Sequence, residues 1–163
     1  MKKLIGILIG FVFILSACGM IDEDRDNNDH NDDNGSNLPS SQVEAFAPLA
    51  FQALIEHVNQ PIHINSVTYI CYLYDAPYER YEACAFYTVY RFASGSISRY
   101  AEVWVEEMPT ELYAYVYDLE DQSALMTEYE FLFNQVRFDS DYTYRVGPLT
   151  RSQIDQALAN FSQ

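Results

Sequence analysis

After Lys3 the chain contains no lysine, and its nine basic side chains face 24 Asp and Glu, for a formal charge of −15. Phosphate backbones are held by basic stripes, so this balance excludes nucleic acid as a partner. Long apolar runs are missing too. The most apolar stretch, residues 4–15, is shorter than the roughly 20 residues that span a bilayer, and acidic sequence follows close behind. There is no C-x-x-C, H-E-x-x-H, G-x-S-x-G or S-x-x-K, and no glycine-rich phosphate loop. His30, His57 and His63 make no ligand set. No catalytic residue, metal site or cofactor is therefore expected. Carboxylates are abundant, but a glycosidase pair is defined by its separation in space, which a sequence does not give.

What is present begins at the N-terminus. Lys2 and Lys3 precede the apolar stretch, which closes on Leu15-Ser16-Ala17-Cys18. This arrangement has the parts of a secretory signal, and its last four residues resemble the lipobox of bacterial lipoproteins. The resemblance implies cleavage before Cys18 and a lipidated Cys18 carrying a diacylglyceryl group with fatty acids such as palmitate. Two acyl chains suffice for stable anchoring in the bilayer, where one is marginal. The implied address is extracytoplasmic, lipid-anchored to a bacterial membrane. The expected boundaries are 1–17 for the signal peptide, 18–38 for the lipidated cysteine and a tether, and 39–163 for a single domain.

Residues 22–37 are mostly Asp and Asn with Gly and Ser and almost no apolar side chain, a composition unable to offset the entropy of ordering. The segment reads as a tether rather than a calcium loop, since it lacks the spaced acids closing on a glutamate. Its charge holds the domain away from anionic lipid and favours a Gram-positive exterior. Cleavage would leave arginine as the only basic residue. That suits an exported domain in alkaline or saline surroundings, because arginine stays charged where lysine titrates; drift in a short chain is the alternative.

Inside the domain, Ser40-Ser41 open a helical pattern through Val43, Phe46, Ala47, Ala50, Phe51, Leu54 and Val58, interrupted by Pro48 and ending near Asn59. The period then changes to two. Residues 64–74, 82–92 and 97–107 read as strands, with a longer loop at 75–81 and a two-residue turn at Ser94-Gly95. A fourth strand is expected at 112–117, a helix at 121–135, a short strand at 142–146, and a last helix that Thr150 caps with Gln153. The expected fold class is α+β: an antiparallel sheet of four to five strands with the N-terminal helix and C-terminal helices packed on one face.

The turns set Cys71 opposite Cys84, Tyr69 opposite Phe86, Phe86 opposite Val103 and Phe92 opposite Ile97. One face then carries Val67, Tyr69, Cys71, Leu73, Cys84, Phe86, Phe92, Ile97, Ala101, Val103 and Val105, a core face that a one-residue slip would scramble. With Cys18 lipidated, Cys71 and Cys84 are the remaining cysteines, and their register makes a disulfide the first expectation and two buried thiols the second. The other face gathers Tyr72, Tyr74, Tyr81, Tyr87, Tyr100 and Trp104 among Arg91, Glu102 and Glu106. Tyrosine and tryptophan offer flat apolar area with a polar edge, as binding surfaces require. The expected contact residues are Tyr72, Tyr87, Arg91, Tyr100, Glu102 and Trp104, unless helix 121–135 covers them. The leading expectation is thus a non-enzymatic binding module of the cell envelope, with an envelope protein or wall glycan as ligand. An envelope enzyme acting on wall glycan or peptide through carboxylates is the second. A structural or inhibitory lipoprotein is the third, since a helix on an antiparallel sheet is similar to cystatin-like folds.

Overall fold

Period-two alternation from residue 62 onward builds four strands in succession: β1 (Ile62–Ala76), β2 (Glu79–Phe92), β3 (Arg99–Glu107) and β4 (Leu112–Leu119). Each runs antiparallel to the one before, and β5 (Tyr142–Pro148) returns to pair with β1, giving the order β4-β3-β2-β1-β5. Helices α1 (Ser40–Val58), α2 (Gln122–Phe138) and α3 (Arg151–Phe161) complete an α+β fold. The structure is a computed structural model and describes residues 38–107 and 111–161. The expected signal peptide, Cys18, the acidic segment and the turn expected at Met108-Pro109-Thr110 lie outside the described residues.

The register is the one that the alternation favours. Tyr69 pairs with Phe86, Cys71 with Cys84, Phe86 with Val103 and Cys84 with Val105. Two turns differ from expectation. The loop at 75–81 is a two-residue turn, because pairing continues to Ala76 opposite Glu79 and leaves Pro77-Tyr78 at the tip; proline suits the first central position of a tight turn. Conversely, the pairing of β2 with β3 ends at Tyr90 opposite Arg99, so residues 93–98 form a wider loop. Ile97, expected in the core, is therefore exposed. Within β1 a bulge between Ile64 and Ser66 lets both Ile64 and Val67 face the same side.

That side is the larger core. Val67, Phe86, Val103 and Val105 lie under α1, which contributes Phe46, Ala50, Phe51 and Leu54, and α3 adds Ile154 and Ala157. The first helix runs through Pro48 as one element. It stops at Asn59, whose left-handed backbone (φ 51°, ψ 34°) turns its N–H onto the Ile55 carbonyl at 2.9 Å. At the start of α3, the Gln153 backbone N–H donates to the Thr150 hydroxyl while the Thr150 N–H donates to the Gln153 side-chain Oε1, a reciprocal cap. Cys71 and Cys84 are bonded as a cross-strand disulfide, Cα–Cα 4.0 Å, wholly buried in this core.

The expectation that every helix packs on one face is corrected by α2. Its stripe of Leu125, Leu132 and Val136, flanked by Tyr129 and Phe133, packs on the opposite face against Ile70, Tyr72, Ala83, Ala85 and Tyr87. The physical reason is occupancy. The first face is already covered by α1 and α3, while the alanines of β2 leave a shallow floor on the second for a helix to approach. Asp121 caps α2, accepting from the Ala124 N–H at 2.9 Å.

Candidate binding surface

The placement of α2 divides the tyrosine-rich face in two. At its centre Tyr72 is 3% exposed and Tyr87 1% exposed. The Tyr72 ring touches those of Tyr81, Trp104 and Tyr142 at 6.0, 5.9 and 5.2 Å, and Tyr87 meets Tyr129 of α2 at 5.4 Å. Burial holds both phenols far above their ordinary pKa; neighbouring Tyr81 adds to this at Tyr72, and Glu102 at Tyr87. Tyr72 and Tyr87, expected as contact residues, are therefore floor residues of a core and present no surface. The apolar stripe of α2 is what closes over them.

The other expected contact residues are scattered along the margin of that cover. Arg91, near the end of β2, donates to the Gly95 carbonyl at 3.2 Å and so ties the strand to the 93–98 loop. Tyr100, Glu102 and Trp104 are half-buried on β3, and Trp104 Nε1–H points to Glu106 Oε2 at 3.4 Å. The Glu102 carboxyl is raised above its ordinary range, first by burial; the Tyr87 hydroxyl partly offsets this and Glu128 adds to it. That hydroxyl also approaches the Glu128 carbonyl at 3.3 Å, and with one proton it serves one acceptor at a time.

Beyond Trp104 the face opens. The odd positions of β4 bring Tyr113, Tyr115 and Tyr117 to the same side, at 39%, 40% and 53% exposure. Tyr113 and Tyr115 lie side by side, ring centroids 6.3 Å apart and nearly parallel. Their register sets Tyr113 opposite Glu106, Tyr115 opposite Trp104 and Tyr117 opposite Glu102. The result is an aromatic ladder on an edge strand, backed by carboxylates. The strand itself is readable from the sequence, but its face is not: the turn at 108–110 gives no register, so the three tyrosines are not among the expected contact residues.

A second feature invisible to spacing sits at one end of the sheet. His57 Nε2 lies 2.9 Å from Asp118 Oδ2, joining the end of α1 to β4 across 61 residues of sequence. The pair borders a cleft of about 500 Å³ with Tyr90, Phe92, Arg99 and Glu120. The Arg99 guanidinium stacks on the Phe92 ring at 4.2 Å. Glu102, whose carboxyl is raised, does not line this cleft. His63 lies exposed on β1 opposite Arg91. Among the described residues no group of three or more His, Cys, Asp or Glu is placed to hold a metal ion, and no described helix is long and apolar enough to cross a membrane.

No family model, curated protein or solved structure matches this chain, so the surface is read from its own residues.

Proposed function

We propose that this chain is a lipoprotein of the bacterial envelope, exported by its leader and anchored through Cys18, that works as a non-enzymatic binding module. Its contact surface is the ladder of Tyr113, Tyr115 and Tyr117 with Trp104 beside it, not the Tyr72 and Tyr87 centre. The observation that carries this reading is the exposure of three aligned tyrosines on an edge strand, while the same residue type at the centre of the same face is buried under α2. Tyr78 is also exposed, but it stands alone at a turn. Aligned amphipathic rings with polar tips are what contact surfaces use. The enzyme alternative calls for a raised carboxyl in a cleft, and Glu102 lies on the sheet beside the helix.

Two measurements test this. Cys18→Ala releases or misprocesses the protein; membrane retention with unchanged mass would sink the anchor. A photocrosslinking side chain at position 115, introduced on cells, captures discrete adducts, whereas the same group at position 78 captures none. Equal capture at both positions removes the ladder as the contact surface.

A further inference from the structure

The two margins of the sheet are unlike. β5 carries Gly147 and Pro148 at its end, and its Arg145 Nε–H donates to the Leu38 carbonyl at 2.8 Å. Proline and charge are among the ways native sheets protect their edges. β4 has eight residues, no proline, and Asp118 as its sole charge. Among the described residues nothing pairs with its outer side. An unguarded edge of this kind is a template for another strand.

The face along that edge has a pattern. Reading inward, Tyr113 is backed by Glu106, Tyr115 by Trp104 and Tyr117 by Glu102. Adjacent strands lie about 4.8 Å apart. A long cationic side chain on an added strand, opposite Tyr113 or Tyr117, would thus lie against the ring with its charge directed at the carboxylate behind. Cations are attracted to tyrosine faces. Both carboxylates lack a cation: the ion pairs among the described residues are His57–Asp118 and Arg151–Asp155. The middle position, Tyr115 against Trp104, offers only aromatic surface and suits an apolar side chain. On the reverse face, Ala114 borders a groove of about 220 Å³ between β4 and α1, with room for small side chains at the alternate positions.

We propose that the outer edge of β4 receives an extended segment of another protein as a sixth strand, and that this segment carries the pattern basic–x–apolar–x–basic. The pattern reads alike in both directions, so either strand polarity satisfies it. A second copy is disfavoured by mutual repulsion at a charge of −15 each. No segment of the chain itself fits, since no two of its basic residues stand four apart. The inference rests on the ladder being the contact surface.

The test titrates the full-length chain with the peptide Thr-Arg-Thr-Ile-Thr-Arg-Thr and follows the fluorescence of Trp104, the chain's single tryptophan. Binding is expected to weaken as salt rises, and to vanish when alternate peptide nitrogens are methylated or when glutamate replaces arginine. Tyr113→Ala and Tyr117→Ala should each weaken it about threefold, and Glu102→Gln with Glu106→Gln about tenfold. Circular dichroism checks that each variant is folded, and Tyr117→Phe should bind as the parent does. Undiminished binding by the methylated peptide overturns strand addition and leaves the ladder standing. So does a Trp104 response to a β-1,4-linked N-acetylglucosamine tetramer with none to the peptide. Peptide binding indifferent to both tyrosine-to-alanine replacements overturns both readings.

Discussion

The covered centre and the open edge of one sheet face are built from the same residue, yet they do different work. Tyr72 and Tyr87 lie where β1 and β2 are flanked on both sides by other strands and capped by α2, so their rings fill volume and their hydroxyls are pressed into a core. Tyr113, Tyr115 and Tyr117 lie on the outermost strand, and each keeps a large part of its surface in water. A tyrosine face is thus not a unit of function. What the residue does is set by the element that covers it, and here one helix draws the line between a buried core and an exposed surface.

The comparison breaks most sharply under truncation. Tyr87→Ala should cost about 3–5 kcal/mol, the range for emptying a large buried aromatic site. Tyr115→Ala should cost about 0.5–1 kcal/mol, the worth of a cross-strand pair. Urea denaturation of the two variants checks this, and equal losses would erase the division. Trp104→Ala falls between them, because its ring packs on Tyr72 within and faces Tyr115 without.

Alkali probes the same division through charge. Tyr72 and Tyr87 keep their protons in the fold well above the ordinary tyrosine value of 10.0, whereas the unfolded chain releases them there. The native state then binds more protons, so stability is intact below pH 10 and falls as pH rises past it, by about 3 kcal/mol per unit for the two phenols together. Thermal melts from pH 8 to 12 should show a flat region and then a steep decline. A decline starting below pH 9 would contradict both this and the suitability of the lysine-free domain for alkaline surroundings.

On the other face, the disulfide is the comparable device. Cys71→Ala with Cys84→Ala should cost about 2–4 kcal/mol, read as a lowered urea midpoint without loss of peptide binding at the edge. A smaller effect than that of the disulfide belongs to the cover itself. Asp121→Ala removes the α2 cap and should cost about 1 kcal/mol, with faster amide exchange in α2 and not in α1.

The registers of both hairpins were legible because alternation sorts Cys71, Cys84, Phe86 and Val103 onto one face, and a slip would expose them. The cap of α3 was legible because Thr150 and Gln153 stand three apart. The position of α2 was not. A stripe such as Leu125, Leu132 and Val136 says that a helix is buried, but not against which face. Ile97 was misplaced because alternation continues past the point where hydrogen bonding stops. His57 and Asp118 meet only through the sheet order, which no local pattern encodes.

Nitration of the folded full-length chain by tetranitromethane, read tyrosine by tyrosine with mass spectrometry, tests the division most directly. The account predicts rapid modification of Tyr78, Tyr113, Tyr115 and Tyr117, with Tyr72 and Tyr87 unmodified until the protein is denatured. It further predicts that the basic peptide protects Tyr113, Tyr115 and Tyr117 while Tyr78 stays reactive. Modification of Tyr72 and Tyr87 at the rate of Tyr115, or an edge that resists nitration without any partner, would contradict it.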